Sequence, residues 1–151
     1  GNRQFSLGQV RAAVDAYSRA IGLLRGADDF CHDEASASRG DLAVCYCNRA
    51  AALLRLKDFA GALRDCDEVL RSGRCDGLAV KALFRRGKAH EGLGDVKPAW
   101  RDFRRVVELE PHNRDGLAEL ENYSSVMHRL LVKHGGTPEN RAKQENLLSP
   151  Y

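Results

Sequence analysis

The sequence predicts an all-α fold, an alpha-alpha superhelix (solenoid) of paired helices, and three observations predict it. A fourteen-residue pattern recurs at 8–21, 57–70 and 94–107. In each copy a small residue, Ala13, Ala62 or Ala99, is followed four positions later by Tyr17, Cys66 or Phe103. Three further on stands Ala20, Val69 or Val106. These offsets put the three side chains on one helical face. The composition completes the case: 43% hydrophobic and 30% charged residues can fill a core and clothe a helical surface, while one tryptophan and four tyrosines leave little for a β-rich fold.

A second helix is expected ahead of the later copies, over 43–56 and 79–93. In the latter, Ala79, Ala82, Leu83, Arg86, His90 and Leu93 share a stripe whose apolar character only Arg86 and His90 interrupt. Gly8 and Gly94 suit helix C-termini, and Asp58 and Asp95 suit the N-caps that follow. Pro98 falls in the first turn of the last copy, where a missing N–H costs little. After Glu110-Pro111-His112-Asn113 another amphipathic helix is expected, with Leu117, Leu120, Tyr123, Ser124, Met127, Leu130 and Leu131 inward and Gly135-Gly136 ending it.

Charge and chemistry exclude several function classes. A net charge of +3, from 24 basic and 21 acidic residues, is too mild to imply nucleic acid or an anionic membrane. No run approaches the roughly 20 apolar residues of a membrane span, and no basic-then-apolar leader opens the chain. Cys31, Cys45, Cys47, Cys66 and Cys75 are an odd set read as small hydrophobes of a reduced compartment, so a cytoplasmic protein is expected. Cys45 and Cys47 stand two apart on a helix and point to nearly opposite sides, so they do not share a metal. With no nucleophile elbow, zinc-protease or phosphate-loop motif, the chain reads as a binding domain without cofactor or metal rather than an enzyme.

The repeated pattern resembles the tetratricopeptide repeat, a helix-turn-helix of nominally about 34 residues with small residues at the helix crossings. The resemblance covers 1–113 and implies three repeats, at about 1–27, 43–76 and 80–113. Ala62 and Ala99 are 37 residues apart but Ala13 and Ala62 are 49 apart, so an insertion is expected at about 28–42, with Ser36 to Gly40 read as loop or longer helix ends. Against the pattern the first repeat lacks about seven opening residues. A capping helix over 114–134 would cover the last repeat's apolar face, and 135–151 reads as a polar tail or linker.

A helical repeat array offers a concave groove lined by the first helix of each pair. The repeat register puts Asn2, Phe5 and Ser6 there, then Val44, Cys47, Asn48, Ala51, Leu54 and Arg55, then Lys81, Phe84, Arg85, Lys88 and Glu91. Lys81, Arg85 and Lys88 form a basic stripe with few acidic partners. Together with the amides of Asn2 and Asn48 they are donors suited to a carboxylate. An ordinary solvated helix face is the competing reading.

Here the resemblance narrows to the carboxylate-clamp class of tetratricopeptide co-chaperones, whose grooves carry Lys, Asn, Asn, Lys and Arg at set repeat positions. Asn2, Asn48, Lys81 and Arg85 match four of the five, and the remaining lysine would precede Gly1. The family relation implies that Asn2 and Asn48 hold a peptide's terminal carboxylate. Lys81 and Arg85 then engage the last Asp side chain and upstream backbone of the Glu-Glu-Val-Asp end of heat shock protein 90 or 70 class chaperones. Phe5, Ala51, Leu54 and Phe84 are candidates for an apolar pocket, with core packing as the alternative for Phe5 and Phe84. Arg55 and Lys88 are candidate contacts to upstream Glu residues. The stretch from Lys81 to His90 looks like immunophilin repeat domains, and the long first connection is similar to mitochondrial-import and myosin-folding co-chaperones. A monomeric domain is expected. The alternative is a tetratricopeptide adaptor that binds an internal peptide without a clamp.

Overall fold

A computed structural model describes the backbone of residues 2–28, 35–73 and 77–133, and the side chains of 6–26, 39–73 and 77–126. Six helices follow one another: α1 Asn2–Asp28, α2 Ala35–Arg55, α3 Phe59–Arg71, α4 Gly77–Leu93, α5 Val96–Leu109 and α6 Arg114–Lys133. Each packs on the next, and α2 also packs on α4, whereas α3 and α5 make no comparable contact. The stack therefore curves with α2 and α4 on its inner side. It is an all-α solenoid consistent with about three helix-turn-helix repeats.

The repeated face is the core. Ala62, Cys66 and Val69 on α3, and Ala99, Phe103 and Val106 on α5, are fully buried. Their counterparts Ala13, Tyr17 and Ala20 are half-buried, since among the described residues α2 is the one helix that packs extensively on α1. Ile21, Tyr46, Cys47, Val69 and Ala82 form one cluster, Ala50, Leu53, Ala62, Cys66 and Ala89 a second. Gly87 marks the α4–α5 crossing, where a Cβ would lie 2.7 Å from the Phe103 ring.

The turns explain themselves residue by residue. Lys57 and Gly94 occupy the same repeat position and both take positive φ, 62° and 82°, the left-handed residue that ends a helix. At the next helix start, the Asp58 carboxylate accepts from the Gly61 N–H at 2.9 Å. Asp95 stands at the equivalent N-cap but makes no such bond. Its third residue on is Pro98, which has no N–H to give.

Four expectations are corrected. Gly8 ends no helix: α1 runs through it unbroken. No atom lies within 4 Å of where its Cβ would be, so no close approach demands a glycine there, and continuing the ladder through it costs only about 1 kcal/mol. Ser36 to Gly40 are helical, the first turns of α2, so longer helix ends take up most of the insertion and only 29–34 lie outside the described residues. Leu93 and Leu117, expected inward, are 48% and 41% exposed. Leu93 is the last residue of α4, beyond its crossing with α5. At the start of α6 the neighbouring Gly116 makes the close approach instead: a Cβ there would lie 2.7 Å from Val106.

Tyr123 of α6 is buried against Phe103, ring centroids 5.6 Å apart. Met127, Leu130 and Leu131 and the 135–151 tail lie outside the described side chains.

Candidate functional site

The inner helices carry two neighbouring concavities. The first, about 330 Å³ between α1 and α2, is lined by Ser6, Gln9, Val10, Ala13, Tyr17, Asn48, Ala51, Ala52 and Arg55. The second, about 450 Å³, lies between α4 and the α5–α6 corner. Leu54, Val80 and Phe84 give it apolar surface, Lys81, Arg85 and Lys88 form one bank, and Glu110, Asn113 and Asp115 form the other. The expected binding residues are thus divided, with Asn48, Ala51 and Arg55 in the first hollow and Leu54, Lys81, Phe84, Arg85 and Lys88 in the second. Asn2 is in α1, but its side chain and that of Phe5 lie outside the described residues.

Arg85 joins the two hollows. Its Nη1 donates to the Cys47 carbonyl at 2.7 Å and lies 2.8 Å from Cys47 Sγ, which fixes the guanidinium beside Asn48; its other N–H groups have no partner among the described residues. An arginine already immobilised loses less side-chain entropy on binding. The Cys47 thiol itself is pushed up by burial, against the pull of the Arg85 and Lys81 charges. One helical turn before Arg85, Lys81 is exposed and makes no hydrogen bond or ion pair among the described residues. The Asn48 amide is likewise without a hydrogen-bond partner among the described residues. These are unspent donors on one concave face.

Lys88 is different. It pairs with Glu91 at 2.7 Å and with Glu119 at 2.6 Å. Burial opposes its charge, but those two carboxylates outweigh burial and raise its pKa. Lys88, a candidate secondary contact, is thus already ion-paired where few acidic partners are expected: α6 brings Glu119 against it. Phe84 serves both readings, meeting the Phe103 ring edge-on at 5.6 Å while lining the second hollow. Arg55 is exposed at the rim of the first.

Behind the groove, two arginines bind the helices together. Arg49 holds Asp65 with two hydrogen bonds, 2.7 and 2.6 Å, and reaches the Ser18 hydroxyl at 2.9 Å. Arg86 holds Asp102 at 2.9 and 2.7 Å and reaches Asp67 at 2.8 Å. The Asp102 and Asp67 bonds raise the Arg86 pKa despite its partial burial. These pairs set the pitch between repeats and so the positions of Asn48 and Arg85, their immediate neighbours in the chain.

The acidic bank escaped the sequence reading. Glu110 and Asp115 flank the α5–α6 turn, beyond the repeated pattern, where no register assigns a face. Among the described residues Cys45, Cys47 and Cys66 are free thiols, no group of three metal-ligating side chains is present, and no helix is long and apolar enough to cross a membrane.

A family model described as Domain of Unknown Function (DUF3856) matches residues 1–122. Protein unc-45 homolog B of Danio rerio is 30% identical over 131 residues, 87% of this chain. The chain spans only 13% of that relative's length. Two solved structures are similar across nearly their whole length. The first TPR of Spaghetti (RPAP3), bound to the HSP90 peptide SRMEEVD, is 33% identical with a TM-score of 0.63, covering 85% of this chain and 87% of that one. The second TPR domain of human RPAP3, in complex with the HSP70 peptide SGPTIEEVD, is 32% identical with a TM-score of 0.59, covering 82% and 88%. The chain thus belongs to the tetratricopeptide-repeat family, and through residues 1–122 to the family described as Domain of Unknown Function (DUF3856).

Proposed function

We propose that the α2–α4 face is a carboxylate clamp that binds the C-terminal Glu-Glu-Val-Asp of heat shock protein 90 or 70 class chaperones, making this chain the chaperone-docking domain of a co-chaperone. The observation that carries the reading is the set of unspent donors: Lys81, Arg85 held by the Cys47 carbonyl, and Asn48 beside it. Such donors suit the two carboxylates of a terminal Asp, which accept charge-assisted hydrogen bonds. The likeness to two repeat domains solved with peptides ending in Glu-Glu-Val-Asp supports it. Asn2 completes the set by its position in the repeat, and Ala51, Leu54 and Phe84 supply apolar surface for the Val or a residue upstream.

In this reading α6 is the capping helix, with Tyr123 and Gly116 covering α5 and Leu117 left outward. The domain acts as a monomer without cofactor, and its free thiols suit the cytoplasm.

The test is calorimetric titration with the two C-terminal peptides against wild type and against Asn48→Ala, Lys81→Ala and Arg85→Ala. A charge-assisted hydrogen bond is worth about 1.5–3 kcal/mol, so each variant is expected to bind about ten- to a hundredfold more weakly. Equal binding by all four proteins sinks the clamp and favours an adaptor for internal peptides.

A further inference from the structure

We infer that the second concavity selects, among peptides with an acidic free C-terminus, those carrying a basic residue upstream of the acidic run. The inference rests on the clamp reading and adds a specificity determinant to it. The hollow is bipolar. On its α4 bank stands Lys81, unpaired among the described residues, next to Arg85. On the opposite bank, the Glu110 carboxylate has one hydrogen-bond partner among the described residues, the neutral Asn113 amide, which donates to it at 2.8 Å. Asp115 makes no hydrogen bond or ion pair among the described residues.

The two banks do not neutralise each other: no ion pair joins Lys81 or Arg85 to Glu110 or Asp115. Nor is the acidic bank loose. Asn113 accepts from the Gly116 N–H at 2.9 Å as the cap of α6 while it donates to Glu110, so the corner is braced from both sides. Between the banks Leu54, Val80 and Phe84 offer an apolar floor.

A peptide whose last carboxylates lie at Asn48, Lys81 and Arg85 has to leave along α4, past the floor, toward the α5–α6 corner. Four or five extended residues at about 3.3 Å each reach roughly 15 Å, more than the 8–10 Å between packed helix axes. The upstream residue that arrives at Glu110 and Asp115 meets negative charge. A cation is drawn in there, and a further carboxylate is repelled. Of the two peptide sequences seen on related domains, SRMEEVD carries an arginine at that reach and SGPTIEEVD carries no cation.

The experiment compares SRMEEVD, SAMEEVD and SEMEEVD by fluorescence anisotropy on wild type and on the E110Q/D115N double variant. An ion pair at a half-open site is worth at most about 1 kcal/mol, so wild type is expected to prefer the Arg peptide over the Ala peptide about threefold, and the Ala over the Glu peptide by a similar factor. The double variant is expected to bind all three with one affinity. Because the peptides are compared on the same protein, any loss of folded fraction cancels. Three equal affinities on wild type, or a preference that survives in E110Q/D115N, overturns this inference and leaves the clamp standing. Failure of all three peptides to bind wild type overturns the clamp itself.

Discussion

Arg49 and Arg86 stand 37 residues apart, at the same place in successive repeats, and make the same three-way connection. Each grips an aspartate of its own repeat's second helix, Asp65 or Asp102, and touches the helix before it at Ser18 or Asp67. Both aspartate side chains are nearly buried, 4% and 7% exposed, while the arginines keep contact with solvent.

Breaking one of these pairs strands a charge. Removal of one partner of a buried pair costs about 3–5 kcal/mol, and the 27% exposure of Arg86 lowers that to about 2–3 kcal/mol for Arg86→Met. Urea denaturation checks the figure. The double variant Arg86→Met with Asp102→Leu is expected to recover most of the loss, since neither charge is then left alone.

Lys57 sits where Gly94 sits one repeat later, with φ of 62°. A side chain in the left-handed region costs roughly 1–2 kcal/mol. Lys57→Gly is therefore expected to raise stability by about 1 kcal/mol, read as a higher urea midpoint at unchanged slope, and Gly94→Ala to lower it by a similar amount.

Gly87→Ala is expected to destabilise by about 1–3 kcal/mol, the usual range for overpacking. The new Cβ would lie 2.7 Å from Phe103, a fully buried ring held between Phe84 and Tyr123. Phe103→Leu in the same chain should recover part of the loss, measured by thermal melting.

These positions mark how far the sequence carries. Ala62, Cys66, Val69 and their counterparts in α5 declare the core because helical spacing alone sets their face. Asp58 and Asp95 look identical in the sequence, yet only Asp58 caps, and Pro98 is the visible reason. The continuity of α1 through Gly8 was hidden because a glycine permits a turn without requiring one. Lys88 read as a free cation, since nothing local announces that Glu119 on another helix will meet it. The same lack of a register concealed Glu110 and Asp115.

Alkaline pH should act through the buried thiols. Burial pushes Cys66 from the ordinary 9.0 up to about 12, and raises Cys47 too. Below about pH 9 both folded and unfolded chains keep these protons. Between about 9 and 12 the Cys66 thiol ionises in the unfolded chain but not in the folded one, so stability falls as pH rises, by up to about 1.4 kcal/mol per unit for that thiol, and the raised Cys47 acts in the same direction. Cys66→Ala should flatten that decline in denaturation midpoints across the window, and native Cys66 should resist thiol reagents that label the unfolded chain.

The central claim concerns a terminal carboxylate, and one measurement isolates it: the affinity of a peptide ending in Glu-Glu-Val-Asp, as free acid and as C-terminal amide, for wild type and for Asn48→Ala. The clamp predicts that amidation weakens wild type about tenfold or more and that Asn48→Ala, having already lost that contact, loses much less on amidation. An amide bound by wild type as tightly as the acid contradicts it.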